Sequence, residues 1–120
     1  MKYKPITPAM HGLGDYAFAI ALLTVPALLN ANKKTVQLYR LIALEVLLYG
    51  TLSKHRFAIK PLIPLHIHRN IDIGNVVGMA LLNSYSKIRN NKQVFSFNLT
   101  MLGTALVNVC FTDWKRKCIE

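Results

Sequence analysis

The chain has 120 residues, which is enough for one domain. Hydrophobic residues make up 52% of it and charged residues only 17%, so its composition departs from the globular norm toward that of membrane proteins. Its net charge of +10 does not indicate a nucleic-acid-binding protein, because the Lys and Arg residues stand between apolar segments and do not gather with aromatic residues on one face.

Four apolar segments follow one another along the chain, separated by short basic turns. They cover residues 8–29, 36–52, 64–84 and 94–111. At about 1.5 Å per residue, a helix of this length crosses a hydrocarbon core of about 30 Å. The mean hydropathy of +0.29 is positive but modest, because charged residues interrupt some of these segments. We therefore predict an all-α fold with four transmembrane helices.

The first and second segments differ in polarity. Residues 17–25 carry no charge, and Pro26 is expected to kink or end the first helix. The second segment contains Arg40 and Glu45. Glu45 lies in the middle of its segment and has no cation four residues away, so it is a candidate for a function within the membrane.

Two stretches of the chain resemble one another. Lys4, Pro5 and Pro8 recur 56 positions later as Lys60, Pro61 and Pro64. His11 and Asp15 recur 57 positions later as His68 and Asp72. Each stretch leads into an apolar segment, which predicts one membrane domain made of two tandem helix hairpins, with repeat units at about 4–56 and 60–116. A parallel repeat of this kind places both His-x-x-x-Asp pairs on the same side of the membrane.

The third segment also carries Arg69, directly after the second histidine of the repeat. We expect Arg69 either to extend toward the lipid headgroups or to pair with Asp15 or Asp72.

The first unit has the order His11, Asp15, Tyr16 and then the step 25–27, Val-Pro-Ala, before the second segment. It resembles small bacterial membrane proteins of the SPW-repeat type, which open a helix with a polar His/Asp turn and end it at a Ser-Pro-Trp-like step. The Ser and Trp of that step are absent here. The resemblance covers residues 4–53 and, less closely, 60–113. It implies two helix pairs in a membrane and supplies no catalytic residues.

Residues four apart share one helix face, so His11 lies beside Asp15 and His68 lies beside Asp72. Four interpretations remain open for these side chains. They form a polar clasp between the first and third helices, bind a metal ion such as zinc, iron or manganese, hold a haem between the two histidines, or carry protons together with Glu45. The sequence favours the clasp and no particular cofactor.

No catalytic motif is present, so we do not expect an enzyme. Eight Lys and Arg residues flank the segments on the side of the termini and six on the other side, which places both termini in the cytoplasm. We expect a multi-pass protein of the cell membrane, structural or accessory in type, that contacts the lipid bilayer and forms a homo-oligomer or part of a larger complex. A small transporter or a metal- or proton-binding membrane protein is the alternative.

Overall fold

The structure, a computed structural model, describes residues 4–115. Over this range it contains five helices and no strand, which confirms the all-α prediction. The helices are α1 (Pro8–Leu28), α2 (Lys33–Leu52), α3 (Leu65–Leu82), α4 (Ser86–Arg89) and α5 (Lys92–Cys110). The last residue of the predicted unit 60–116 lies outside the described residues. So do Lys2, Arg116 and Lys117, on which the predicted orientation partly depends.

Short polar side chains set the starts of three helices. Thr7 caps α1 by accepting a hydrogen bond from the backbone N–H of Met10 at 3.2 Å, and Pro8 occupies the first turn, where an N–H is not needed. Asn32 and Asn91 cap α2 and α5 in the same way. The polar turns of the sequence therefore contain the caps, and α2 and α5 begin two to three residues earlier than the apolar pattern predicted.

The end of α1 follows from Pro26 and the residues after it. The helix continues only to Leu28, and Asn30 then adopts a left-handed backbone conformation with φ of 56°. Asn tolerates this conformation at the end of a helix better than most residues do. The chain thus turns within four residues and brings α2 back alongside α1.

The helices pack as two pairs that meet along α1 and α5. α1 packs most extensively against α2, α3 packs against α5, and α1 also contacts α5. The short helix α4 lies in the connection between α3 and α5, a turn that carried no helical pattern in the sequence. Fully buried apolar side chains come from α1, α2, α3, α4 and α5, and they include Leu22, Tyr39, Met79, Ile88 and Val94.

Two reciprocal backbone contacts close the end of the bundle where the described chain begins and ends. Ile6, before α1, pairs with Thr112, after α5, and Ile63, before α3, pairs with Ser53, after α2. The hydrogen bonds correspond: Ile6 N–H donates to the carbonyl of Phe111 at 3.1 Å, and Ile63 N–H donates to that of Leu52 at 2.7 Å. The start of α1 is thereby bonded to the end of α5, and the start of α3 to the end of α2.

Three helices are long and apolar enough to cross a membrane: α1, α2 and α5. α3 is not among them, because its first half contains His66, His68, Arg69, Asn70 and Asp72. We predicted four membrane-spanning helices, and three of the helices in the described residues have the length and apolar composition to span. Large apolar side chains such as Ile20, Leu44 and Val107 are exposed along α1, α2 and α5.

Candidate functional site

The four side chains of the two His-x-x-x-Asp pairs meet inside the bundle. His11 and Asp15 extend from one face of α1, and His68 and Asp72 extend from one face of α3. All four residues are buried, and one nitrogen or oxygen atom from each lies within 4.8 Å of the others. The site lies in the N-terminal halves of α1 and α3, toward the end of the bundle that holds the backbone contacts of Ile6 and Ile63.

Each histidine lies closer to the aspartate of the other helix than to that of its own. His11 Nε2 is 2.7 Å from Asp72 Oδ2 and 3.3 Å from Asp15 Oδ2. His68 Nε2 is 2.9 Å from Asp15 Oδ2 and 3.2 Å from Asp72 Oδ2. Each Oδ2 atom therefore contacts both imidazoles, and the four atoms form a ring in which nitrogen and oxygen alternate.

The other ring nitrogen of each histidine faces a hydroxyl group. His68 Nδ1 lies 2.5 Å from Ser53 Oγ, just after α2. His11 Nδ1 lies 2.7 Å from Thr112 Oγ1, just after α5. The backbone contacts of Ile6 and Ile63 hold these two residues in place, since Thr112 and Ser53 are their partners.

The hydrogen-bond network assigns the proton on Nδ1 of both histidines. Ser53 Oγ donates to the carbonyl of Tyr49, and Thr112 Oγ1 donates to the carbonyl of Asn108. A hydroxyl has a single hydrogen, so each of these oxygens must accept from the imidazole. His11 Nδ1 also lies 3.2 Å from the carbonyl oxygen of Asn108, which can only accept. Both Nδ1 atoms therefore carry a hydrogen, and Nε2 is the ring nitrogen that faces the carboxylates.

The second oxygen of each carboxylate has its own donor. Tyr49 donates its phenolic O–H to Asp72 Oδ1 at 2.5 Å, and Asn75 donates to the Tyr49 oxygen at 2.9 Å. Asn108 Nδ2 lies 3.3 Å from Asp15 Oδ1. Hydrogen bonds to the Oδ1 atoms thus fix the orientation of both carboxylates, and their Oδ2 atoms point to the centre of the cluster.

Trp114 lies against both imidazoles. Its ring centroid is 4.6 Å from that of His11 and 5.9 Å from that of His68. Its indole N–H donates to the carbonyl of Val109 at 3.0 Å, which fixes the orientation of the ring. Trp114 therefore covers part of the cluster with an apolar surface.

A third histidine, His55, lies next to the cluster but belongs to the loop after α2. Its Nε2–H donates to the carbonyl of Gly50 at 2.6 Å, and its Nδ1 accepts from the N–H of Phe57 at 3.2 Å. Both nitrogens are used by the neutral ring. Burial lowers the pKa of His55 below its ordinary value of 6.5, and this outweighs the opposing effect of the hydrogen bond to Gly50.

The structure places Glu45 and Arg69 outside this network. Glu45 is exposed on α2, whose buried face includes Ala43, Val46 and Tyr49. Arg69 is partly buried, and within residues 4–115 its guanidinium forms no ion pair with Asp15 or Asp72. The cluster therefore contains four of the six residues that the sequence nominated.

Several residues of the site were not identified from the sequence. They are Tyr49, Ser53, Asn75, Asn108, Thr112 and Trp114. One signal was present, since Ser53 and Thr112 are 59 positions apart and lie at the same place in the weak second half of the repeat. Tyr49 and Asn108 are separated by the same interval, but their different chemistry concealed the correspondence.

A cavity of about 480 Å³ extends from the cluster between α1, α3 and α5. Asp15, Tyr49 and Asp72 line one part of it, and small residues of α5 such as Gly103 and Ala105 line another. The cluster therefore borders a space that reaches into the apolar part of the bundle.

The chain matches no protein-family model, no curated protein and no solved structure. The resemblance to SPW-repeat proteins thus stays a prediction, and the geometry of the site is the guide to function.

Proposed function

We propose that this chain is an integral membrane protein of structural or accessory type, in which the His11–Asp15–His68–Asp72 cluster clasps α1 to α3. The observation that carries the proposal is the crossed pairing, in which each histidine lies nearest the aspartate of the other helix. If these pairs only stabilised their own helices, the contacts within α1 and within α3 would be the shorter ones.

The surface of the bundle supports a location in the membrane. Three helices are apolar enough to span it, and large side chains such as Leu41, Leu44 and Leu48 are exposed along α2. In the proposed arrangement α3 spans as well, giving four transmembrane helices and both termini in the cytoplasm. The polar residues His68 and Asp72 do not oppose this, because they are buried and bonded within the protein and do not face lipid.

The contacts of the site also support two tandem repeat units. Ile6 and Ile63 make equivalent backbone contacts, and so do their partners, Thr112 and Ser53. These two partners in turn hold equivalent histidines. In the proposed repeat, the contact of His11 with Asp72 corresponds to that of His68 with Asp15. The contact within α1 likewise corresponds to the contact within α3.

Charge balance explains how four ionisable groups are accommodated. Two imidazolium rings and two carboxylates have no net charge. A buried ion pair contributes little stability relative to apolar side chains of the same volume, but removing one partner costs about 3–5 kcal/mol because a charge is left uncompensated. The cluster thus favours the arrangement of α1 and α3 in which all four groups meet.

A small transporter that moves protons through the cluster and Glu45 was the alternative function. Glu45 lies on the exposed side of α2, away from the buried face that carries Tyr49. Within residues 4–115, no hydrogen bond or ion pair joins the Glu45 carboxylate to a side chain of the cluster, so the geometry favours the clasp.

Two measurements test the proposal. The protein is expected in the membrane fraction, where it resists extraction by alkaline carbonate and dissolves in detergent; recovery in the soluble fraction would contradict the membrane location. In detergent, Asp72→Asn should lower the melting temperature strongly, whereas the matched change Glu45→Gln should leave it nearly unchanged. Equal effects of the two variants would contradict the clasp.

A further inference from the structure

The centre of the cluster has the form of a coordination site. Four potential ligand atoms, two Nε2 and two Oδ2, converge from α1 and α3. The neighbouring N···O distances around this ring are 2.7, 3.3, 2.9 and 3.2 Å. A tetrahedral ion with bonds of about 2.0–2.1 Å holds its ligand atoms about 3.3 Å apart. Small outward movements of the side chains therefore suffice to admit one ion.

The protonation of the histidines also suits a metal. Since Ser53 and Thr112 hold the Nδ1–H groups, each imidazole in its neutral form directs its Nε2 lone pair toward the centre. In that form the lone pairs face carboxylate oxygens, which carry negative charge, and no hydrogen lies between the two acceptors. The centre therefore requires positive charge, and either two protons or one divalent cation supplies it.

The surroundings of the cluster match the outer shell of a metal centre. Metal-binding histidines almost always donate their other N–H to a fixed acceptor, and metal-binding carboxylates are themselves hydrogen-bonded. Here Ser53 and Thr112 accept from the two imidazoles, and Tyr49 and Asn108 donate to the two Oδ1 atoms. A structural clasp requires only the crossed pairs. A hydrogen-bond partner for each of the four side chains fixes their orientation, as in the outer shell of a metal centre.

We infer that His11, Asp15, His68 and Asp72 bind one divalent metal ion of the zinc class in tetrahedral geometry between α1 and α3. Two imidazoles and two carboxylates are ligands that zinc accepts, whereas Mg²⁺ and Ca²⁺ require more oxygen ligands than the cluster offers. A haem does not fit between the histidines, because each carboxylate Oδ2 lies within 3.3 Å of both Nε2 atoms.

This inference rests on the proposed function in one respect, since it requires the four side chains of the clasp to meet. It adds that an ion, and not protons alone, joins them. The site lies beside the cavity between α1, α3 and α5.

The test is metal binding by the full chain in detergent. The protein is stripped with a chelator and titrated with Zn²⁺ or Co²⁺ by calorimetry. We expect one ion per chain, with binding lost or greatly weakened in Asp72→Asn and His68→Gln. Glu45→Gln and His66→Gln, which change an exposed carboxylate and an exposed imidazole, should bind as the wild type does.

A further pair of variants tests the outer shell. Ser53→Ala removes the acceptor of His68 Nδ1 and should weaken metal binding about 10- to 100-fold. Thr51→Ala removes a hydroxyl that donates to the carbonyl of Leu48 and does not contact the cluster within residues 4–115, and it should not change metal binding. Equal weakening by both variants would contradict the assigned role of Ser53.

X-ray absorption of the wild-type complex removes any dependence on the folding of variants. Two imidazole nitrogens and two oxygens around the ion are expected. Absence of binding by the folded protein, or binding that persists in Asp72→Asn, would overturn the inference. If no ion binds while His11 and Asp72 still show coupled effects on stability, the metal inference fails and the clasp stands; if that coupling is also absent, both fail.

Discussion

His11 and Asp72 form the closest of the four cross-cluster contacts, with Nε2 and Oδ2 2.7 Å apart, although they are separated by 61 residues. Asp15, four residues along the same helix, lies farther from His11. The relationship is matched by that of His68 with Asp15. The two pairs therefore connect α1 to α3.

Removal of one imidazole tests the cost of leaving a carboxylate unpaired. His68→Ala should lower the free energy of unfolding by about 3–5 kcal/mol, because Asp15 and Asp72 then lose a shared partner. His66→Ala changes an exposed histidine on the same helix and should stay within about 0.5 kcal/mol. Reversible unfolding in mixed micelles measures both values, and similar losses in the two variants would argue against a special role for His68.

Thr35 offers a stabilising substitution. Thr35 is fully buried. Within the described part of the chain, its hydroxyl is the one buried side-chain polar atom without a hydrogen-bond partner. Thr35→Val should therefore raise the free energy of unfolding by about 1 kcal/mol, since it removes an unpaired polar group at nearly the same volume. Val94, 59 positions later, is a fully buried valine.

Thr24 supplies the control for this substitution. Its hydroxyl is exposed and donates to the carbonyl of Ile20 at 2.9 Å. Thr24→Val should change stability by no more than about 0.5 kcal/mol. A loss of stability in Thr35→Val would show that the hydroxyl of Thr35 has a partner.

Gly12 lies where a side chain would strike His55. A Cβ atom at this position would be 2.6 Å from His55 Nδ1 and 2.7 Å from its Cε1. Gly12→Ala should therefore destabilise the protein, despite the higher helix propensity of Ala. At Gly74, where a Cβ meets nothing within 4 Å, the same change should stabilise by up to about 1 kcal/mol.

A double variant identifies the cause at Gly12. His55→Ala by itself removes the ring that the new methyl group would meet. If the contact with His55 causes the loss, Gly12→Ala should cost much less in the His55→Ala background. An unchanged cost in that background would place the strain elsewhere.

The pH dependence of stability follows from the lowered pKa of His55. The folded state favours the neutral ring, so the stabilisation is fully present above 6.5, the ordinary pKa of the unfolded chain, and is lost as the pH falls through the lower pKa of the folded state. NMR titration of the His55 ring in micelles should show protonation below pH 6.5. In His55→Asn the loss of stability between these two pKa values should be smaller, and a folded-state pKa above 6.5 would contradict the assigned hydrogen bonds.

The apolar pattern predicted the four long helices closely. The predicted segment 8–29 corresponds to Pro8–Leu28, and 64–84 corresponds to Leu65–Leu82. The short helix Ser86–Arg89 could not be predicted, because four residues are too few to show a helical period. The early start of α2 comes from the cap at Asn32, which the apolar pattern does not reveal.

The sequence identified the four residues at the centre of the cluster because the repeat displayed them twice. The residues that hydrogen-bond to these four side chains were not predicted. Ser53 and Thr112 act through contacts between elements far apart in sequence, and ordinary hydroxyl residues carry no local signal of such a role. Glu45 was nominated from its position in the middle of an apolar segment, but that position gives depth along the helix and not the face on which the side chain lies.

The crossed pairing of α1 and α3 is tested most directly by a double-mutant cycle on His11 and Asp72. The free energies of unfolding of His11→Gln, Asp72→Asn and the double variant are compared with that of the wild type in the same micelles. A direct contact predicts that the double variant loses less than the sum of the single losses, with a coupling of at least about 1 kcal/mol. Additivity to within about 0.5 kcal/mol would contradict the clasp.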